Sequence, residues 1–131
     1  MFNRAFPESA ASIRSARNFV ATHLQGADHD SRWAAVAAVS EVATNSVRHA
    51  HSDFTVKLTY DVEQIRIDVT DTGPGMPVRR TPAASDIGGR GLNILDAQSD
   101  QWGVVKSPGS KTVWFTIRPR AQMAHGLNGP V

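Results

Sequence analysis

Three groups of side chains in this sequence have the types and spacing to do chemistry. In the run Glu41-Val-Ala-Thr-Asn45-Ser-Val-Arg48, a carboxylate, an amide and a guanidinium recur at spacings of four and three. On a helix that places all three on one face. An amide oxygen is a hard donor suited to Mg²⁺, and a carboxylate one turn away can serve as a general base. The same stripe equally fits a solvent-facing surface, although Asn is a middling helix former with no cap to make here.

The second group is Asp71-Thr-Gly73-Pro-Gly75. Ile65, Ile67, Val69 and Asp71 stand at even spacing, so Asp71 points the same way as the apolar set. An inward carboxylate needs hydrogen-bond donors, and the exocyclic amine of a purine would serve. Gly73 and Gly75 would let a ligand approach the backbone closely. An Asx-type turn closing the strand has the same composition. The third group is Gly88-Gly89-Arg90-Gly91-Leu92-Asn93-Ile94. Glycines leading into a helix N-terminus make an anion site from free N–H groups and the helix dipole. It is neither a dinucleotide fingerprint nor a P-loop, because the third glycine, a strand just before it and a Gly-Lys-Ser/Thr step are all missing. Alone it also reads as a flexible glycine-rich loop. In chain order the three groups supply a metal ligand, a base reader and a phosphate cradle.

The elements that must position them are legible from periodicity. Phe2 and Phe6 suggest a short edge strand over 1–6. Ser9 is an N-cap candidate for a helix over about 9–25, with Ile13, Ala16, Val20 and Leu24 at helical spacing and Gly26 as a stop. Asp28 to Asp30 starts a second helix. Trp33, Val36, Ala37, Ala43, Val47 and Ala50 follow its period, and Val39 and Val42 widen the apolar face, which predicts a largely buried helix. The period then changes to two: Phe54, Val56, Leu58 and Tyr60 form one strand, Ile65, Ile67 and Val69 the next, with a tight turn at Val62-Glu63. Residues 72–91 hold three prolines and five glycines, a loop of functional length. A short helix through Leu92, Ile94 and Leu95 precedes strands over about 101–106 and 111–118, joined at Ser107-Pro108-Gly109-Ser110. Val113, Phe115 and Ile117 share a face, while Trp114 and Thr116 lie opposite. The expected fold class is α+β: a two-layer sandwich with a mixed, mostly antiparallel sheet and helices on one face. One domain over 1–118 and a flexible tail over 119–131 are expected.

Composition narrows the function. Cysteine is absent from the 131 residues, which excludes disulfide scaffolds, zinc fingers and thiol catalysis. Lys and Arg number 14 against 12 Asp and Glu, and Arg79-Arg80 is the only adjacent pair, so no basic stripe argues for direct nucleic-acid binding. Nothing reads as a membrane span or signal peptide, and the cytoplasm is the expected compartment.

Glu41…Asn45, Asp71-x-Gly73-x-Gly75 and Gly89-Arg90-Gly91-Leu92-x-Ile94, in that order, resemble the N, G1 and G2 boxes of the ATPase superfamily that holds gyrase, histidine kinases and MutL (GHKL). The run 41–50 and the closing Lys111-Thr112-Val113-Trp114-Phe115 are similar to the anti-sigma-factor serine/threonine kinases of the RsbW-like subgroup. The resemblance covers about residues 5–118 and implies a Bergerat-type ATP-binding fold with ATP and Mg²⁺ between helices and sheet. It implies Asn45 as the Mg²⁺ ligand and Asp71 on the adenine amine. Gly73 and Gly75 would border the adenine pocket, Met76 would also bind ATP, Gly89, Arg90 and Gly91 would lie at the phosphates with Gly91-Leu92 opening the helix there, and Thr112 would sit near adenine. Glu41 would be the general base on a substrate serine. Arg79, Arg80 and Arg90 are the available loop cations. His49 reads as a nucleotide-pocket or packing residue and His51 as helix-end surface.

The implied function is an ATP-dependent protein serine/threonine kinase acting as an anti-sigma factor. It would sequester a sigma factor, phosphorylate an anti-sigma-factor antagonist and form a homodimer. The alternative is an ATP-binding regulatory module that gates partner binding without physiological phosphotransfer. A detached histidine-kinase catalytic domain is disfavoured, since 131 residues leave no room for a dimerising hairpin with a phosphoacceptor histidine.

Overall fold

In the computed structural model, which describes residues 1–73 and 94–119, the first two helices begin at the side chains expected to cap them. After an edge strand, β1 (Phe2–Phe6), the Ser9 hydroxyl accepts the Ala11 N–H at 3.1 Å and opens α1 (Ala10–His23). The Asp28 carboxylate accepts the Ser31 N–H at 3.0 Å and opens α2 (His29–Arg48). Both satisfy a donor that the first helical turn leaves without an intrahelical partner.

Strands β2 (Phe54–Tyr60) and β3 (Ile65–Asp71) form a hairpin whose turn is closed by Asp61. Its Oδ1 accepts the Glu63 and Gln64 N–H groups at 2.8 and 2.9 Å. A helical stretch at 94–98, with Leu95 buried, leads to β4 (Gln101–Ser107) and β5 (Ser110–Ile117). These join through Pro108-Gly109, where Gly109 takes a φ of +78° that favours glycine. The strand order is β1-β2-β3-β5-β4, and every described pairing is antiparallel. The sheet thus lies at the antiparallel end of the mixed arrangement expected. The loop predicted over 72–91 falls largely outside the described residues, as does all but the first residue of the tail.

The period of two sends Val56, Leu58, Ile65, Ile67, Val69, Val113, Phe115 and Ile117 to one face, where they meet Ala16, Phe19, Val20 and Leu24 of the α1 region and the inner stripe of α2. Phe6 stacks on Phe54 at 5.2 Å between centroids and takes the edge of Phe19 at 6.0 Å. Each large side chain buried this way contributes about 1.5–3 kcal/mol, which offsets the entropy lost on ordering the chain.

The phase of α2 departs from expectation. Its buried stripe is Ser31, Ala35, Ala38, Val39, Val42, Ala43 and Ser46, while Trp33 stands 62% exposed on the outer side. Small and β-branched residues occur all around this helix, so apolarity alone leaves its rotation open. The rotation adopted turns Ser46, not Trp33, toward the sheet.

Candidate functional site

Asp71 ends β3 on its inner face and is 3% exposed. It was expected to point inward, and it does. Its register partner across β5 is Lys111, also inward and 4% exposed. Lys111 Nζ lies 3.2 Å from Asp71 Oδ2. From the helix layer, the Ser46 hydroxyl donates to the same oxygen at 2.7 Å. Asp71 Oδ1 accepts the Gly73 N–H at 3.2 Å, the Asx-type turn that the composition also allowed. Two buried opposite charges lose hydration, and only close geometry with added hydrogen bonds compensates. Here the carboxylate has an ammonium, a hydroxyl and an amide.

The end of β3 is tied to the chain leaving α2. Ser52 Oγ accepts the Thr72 N–H at 2.9 Å, and the two hydroxyls lie 3.2 Å apart. Gly73 packs against Ala50 so closely that a Cβ on it would sit 2.6 Å from the Ala50 carbonyl oxygen. The glycine's lack of a side chain thus admits a neighbouring backbone. The chain turns at His51, whose φ of 52° is left-handed.

Asn45 directly precedes Ser46 and stands about 100° around the helix from it. Glu41 lies one turn earlier on the same stripe, and both are half-buried. Among the described residues neither side chain has a hydrogen-bond or ionic partner. Arg48 and His49 are exposed on the last turn, so His49 is not a packing residue. His51 is exposed, as expected, and faces Glu8 at 3.6 Å. The described residues contain no cluster of three or more His, Asp or Glu suited to a metal ion. The Asn45 amide oxygen is a hard donor of the kind that would suit Mg²⁺, an ion that keeps several waters and takes other ligands from phosphates.

Thr112 goes to the other face. Its hydroxyl lies 2.7 Å from that of Thr70, on the side of the sheet away from the helices. Trp114 occupies that outer face too, under the Arg66 guanidinium at 4.6 Å and against Gly103, which makes it ordinary half-buried sheet packing. The inward position next to the site belongs to Lys111, which the sequence reading passed over together with Ser46. Counting back by two from Ile117, Phe115 and Val113 reaches Lys111 and was the available signal. Gly75, Met76, Gly89, Arg90, Gly91 and Leu92, with Arg79 and Arg80, lie outside the described residues.

Comparison with known proteins identifies the family and the fold. The sequence profile of the histidine kinase-like ATPase domain matches residues 6–117. No curated protein matches the chain. Among solved structures, the chain is similar to the RsbU and RsbW domains of Rv1364c from Mycobacterium tuberculosis, with a TM-score of 0.66, 21% identity and 91% of this chain covered. It is also similar to the histidine kinase domain of the blue-light activated histidine kinase EL346 from Erythrobacter litoralis, with a TM-score of 0.57, 24% identity and 90% covered. A second structure of that kinase gives a TM-score of 0.60 at 22% identity and 90% coverage. The chain spans 33%, 64% and 43% of the length of those three chains, and at these identities the likeness is one of fold. No described helix is long and apolar enough to cross a membrane. With nearly its whole length matched and an inward aspartate at the end of β3 beside the Glu41–Asn45 stripe, the chain belongs to the histidine-kinase-like ATPase domain family, a kinase-like ATP-binding module.

Proposed function

We propose that the chain is an ATP-dependent protein serine/threonine kinase of the RsbW-like, anti-sigma-factor kind. Its reaction would be transfer of the γ-phosphoryl group of ATP to a hydroxyl of an antagonist protein. The observation that carries this reading is the half-buried Glu41 carboxylate, left without a partner among the described residues, on one helical stripe with Asn45, whose neighbour Ser46 bonds Asp71. A module that only binds nucleotide has no need of that carboxylate.

In this reading Asp71 accepts a hydrogen bond from the adenine amine, and Gly73 borders the base. Asn45 would hold Mg²⁺, which when bound would neutralise charge on the phosphates. Glu41 accepts the proton of the attacking hydroxyl as its oxygen bonds to the γ-phosphorus and the bond to the bridging oxygen breaks, releasing ADP. Phosphoryl transfer of this kind depends mainly on alignment and charge neutralisation, which a fixed helix stripe can provide. Gly75, Met76, Gly89, Arg90, Gly91 and Leu92 complete the site by resemblance, with Arg90 a cation at the phosphates. The proposal extends, by the motif resemblance to RsbW-like kinases, to a sigma factor and an antagonist as partners, to homodimerisation and to a cytoplasmic setting.

Labelled ATP incubated with the chain and candidate antagonists tests the proposal. Transfer to serine or threonine is expected, and Glu41→Gln should bind ATP normally while losing about two orders of magnitude or more in transfer. Full transfer by that variant would remove Glu41 from the mechanism. ATP-dependent partner binding with no transfer by the unaltered chain would identify a regulatory module instead.

A further inference from the structure

The inward pairs along β3 and β5 are Ile65–Ile117, Ile67–Phe115, Val69–Val113 and then Asp71–Lys111. Three apolar rungs end in one buried ion pair. Apolar residues of similar volume would hold two strands together at least as well as such a pair. The charges therefore need a reason other than joining the strands, and they stand at the base site.

Resting on the reading of Asp71 as the residue that contacts the purine amine, we infer that Lys111 is the positioning residue for that contact. Lys111 and Ser46 hold one carboxylate oxygen so that the other reads the base. A carboxylate offers about four acceptor positions. Ser46 Oγ and Lys111 Nζ engage Oδ2, and the Gly73 N–H engages Oδ1. Among the described residues, one acceptor position remains, on Oδ1. An exocyclic amine fits it. A carbonyl oxygen at the same place, as on guanine or hypoxanthine, would set acceptor against acceptor. The Lys111 ammonium also balances the carboxylate, so a neutral base need not satisfy a bare buried charge. Because Nζ is committed to Asp71 inside the fold, Lys111 does not serve as a surface cation for the phosphates. The site is thereby specified for nucleotides whose purine carries an amine, not a carbonyl, at C6.

The test is calorimetric titration of the whole chain with ATP and with a triphosphate whose purine lacks the exocyclic amine. It is repeated for Lys111→Met, Lys111→Gln and Asp71→Asn, with circular dichroism to confirm folding. The unaltered chain should prefer ATP by about tenfold or more, as expected for a hydrogen bond to a charged group. Lys111→Met should cut that preference to about threefold or less while changing affinity for the amine-free analogue little. Equal weakening of both nucleotides, with the preference kept, would mean a merely structural role and overturn the inference. Should the Met variant not fold, Lys111→Gln decides: a clearly reduced preference supports positioning, and an unchanged one overturns it. An Asp71→Asn protein that keeps the full preference for ATP, or an unaltered chain that binds neither nucleotide, would instead sink the reading of the base site itself, and this inference with it.

Discussion

Ser46 and Asp71 join the helix layer to the sheet through a single buried hydrogen bond of 2.7 Å. Most of the buried stripe of α2 is alanine and valine, whose contacts have no preferred direction. This bond has a direction and a length, so it fixes where the end of β3 stands relative to the stripe carrying Glu41 and Asn45. Asp71 and the Glu41–Asn45 stripe are thereby held in one frame.

Ser46→Ala removes the donor and leaves Asp71 Oδ2 with Lys111 alone. A hydrogen bond to a charged group contributes about 1.5–3 kcal/mol, so a loss of about 2 kcal/mol in urea denaturation is expected. ATP affinity should fall as well, because Oδ2 is then held from one side. An unchanged urea midpoint would show that the bond contributes nothing to the fold.

Gly73→Ala tests whether this glycine is there for the protein's own packing. The added Cβ would meet the Ala50 side chain and lie 2.6 Å from its carbonyl oxygen. Overpacking of this sort costs about 1–3 kcal/mol. Adding Ala50→Gly removes the side-chain clash but not the one with the carbonyl, so the double variant should recover only part of the loss. Full recovery, or no loss in the single variant, would contradict the close approach described.

Much of this was legible in the sequence. The caps at Ser9 and Asp28 and the turn joining β4 to β5 follow from local chemistry, and the β2–β3 hairpin and the inward aim of Asp71 from a period of two. The rotation of α2 was not legible, because alanine and valine lie all round it and a polar residue, Ser46, belongs to its buried stripe. Lys111 was missed for a related reason. A lysine is expected in water unless paired, and its partner lies 40 residues away, visible only once the register is known. Thr112, the more plausible hydroxyl beside a base, is one residue off, and in a strand one residue is the other face.

His51 turns the chain between α2 and β2 with a left-handed φ of 52°. A side chain in that region costs about 1–2 kcal/mol, part of which glycine returns through its freer unfolded state. His51→Gly should therefore raise stability by about 0.5–1 kcal/mol, seen as a higher Tm. The pair with Glu8 is largely exposed, so its loss should matter little. His51→Ala keeps the Cβ and should give no such gain. An equal gain from alanine would place the effect in the histidine ring, not in the backbone.

Asn45 carries the expectation that most directly joins geometry to metal chemistry. Its amide, without a partner among the described residues, stands on a helix held against the sheet by the Ser46–Asp71 bond. Mg²⁺ gives up water reluctantly and takes few protein ligands, so one well-placed oxygen can decide whether it joins the phosphates in the site. Without magnesium, the unaltered chain and Asn45→Ala should bind ATP within about twofold of each other, since the base contact does not involve Asn45. With magnesium, affinity should rise in the unaltered chain and stay flat in Asn45→Ala. Asn45→Asp, which keeps a hard oxygen at the position, should restore part of the magnesium-dependent gain. If Asn45→Ala kept that gain in full, the ion would be held elsewhere, and the Glu41–Asn45 stripe would lose its claim to be the metal side of the site.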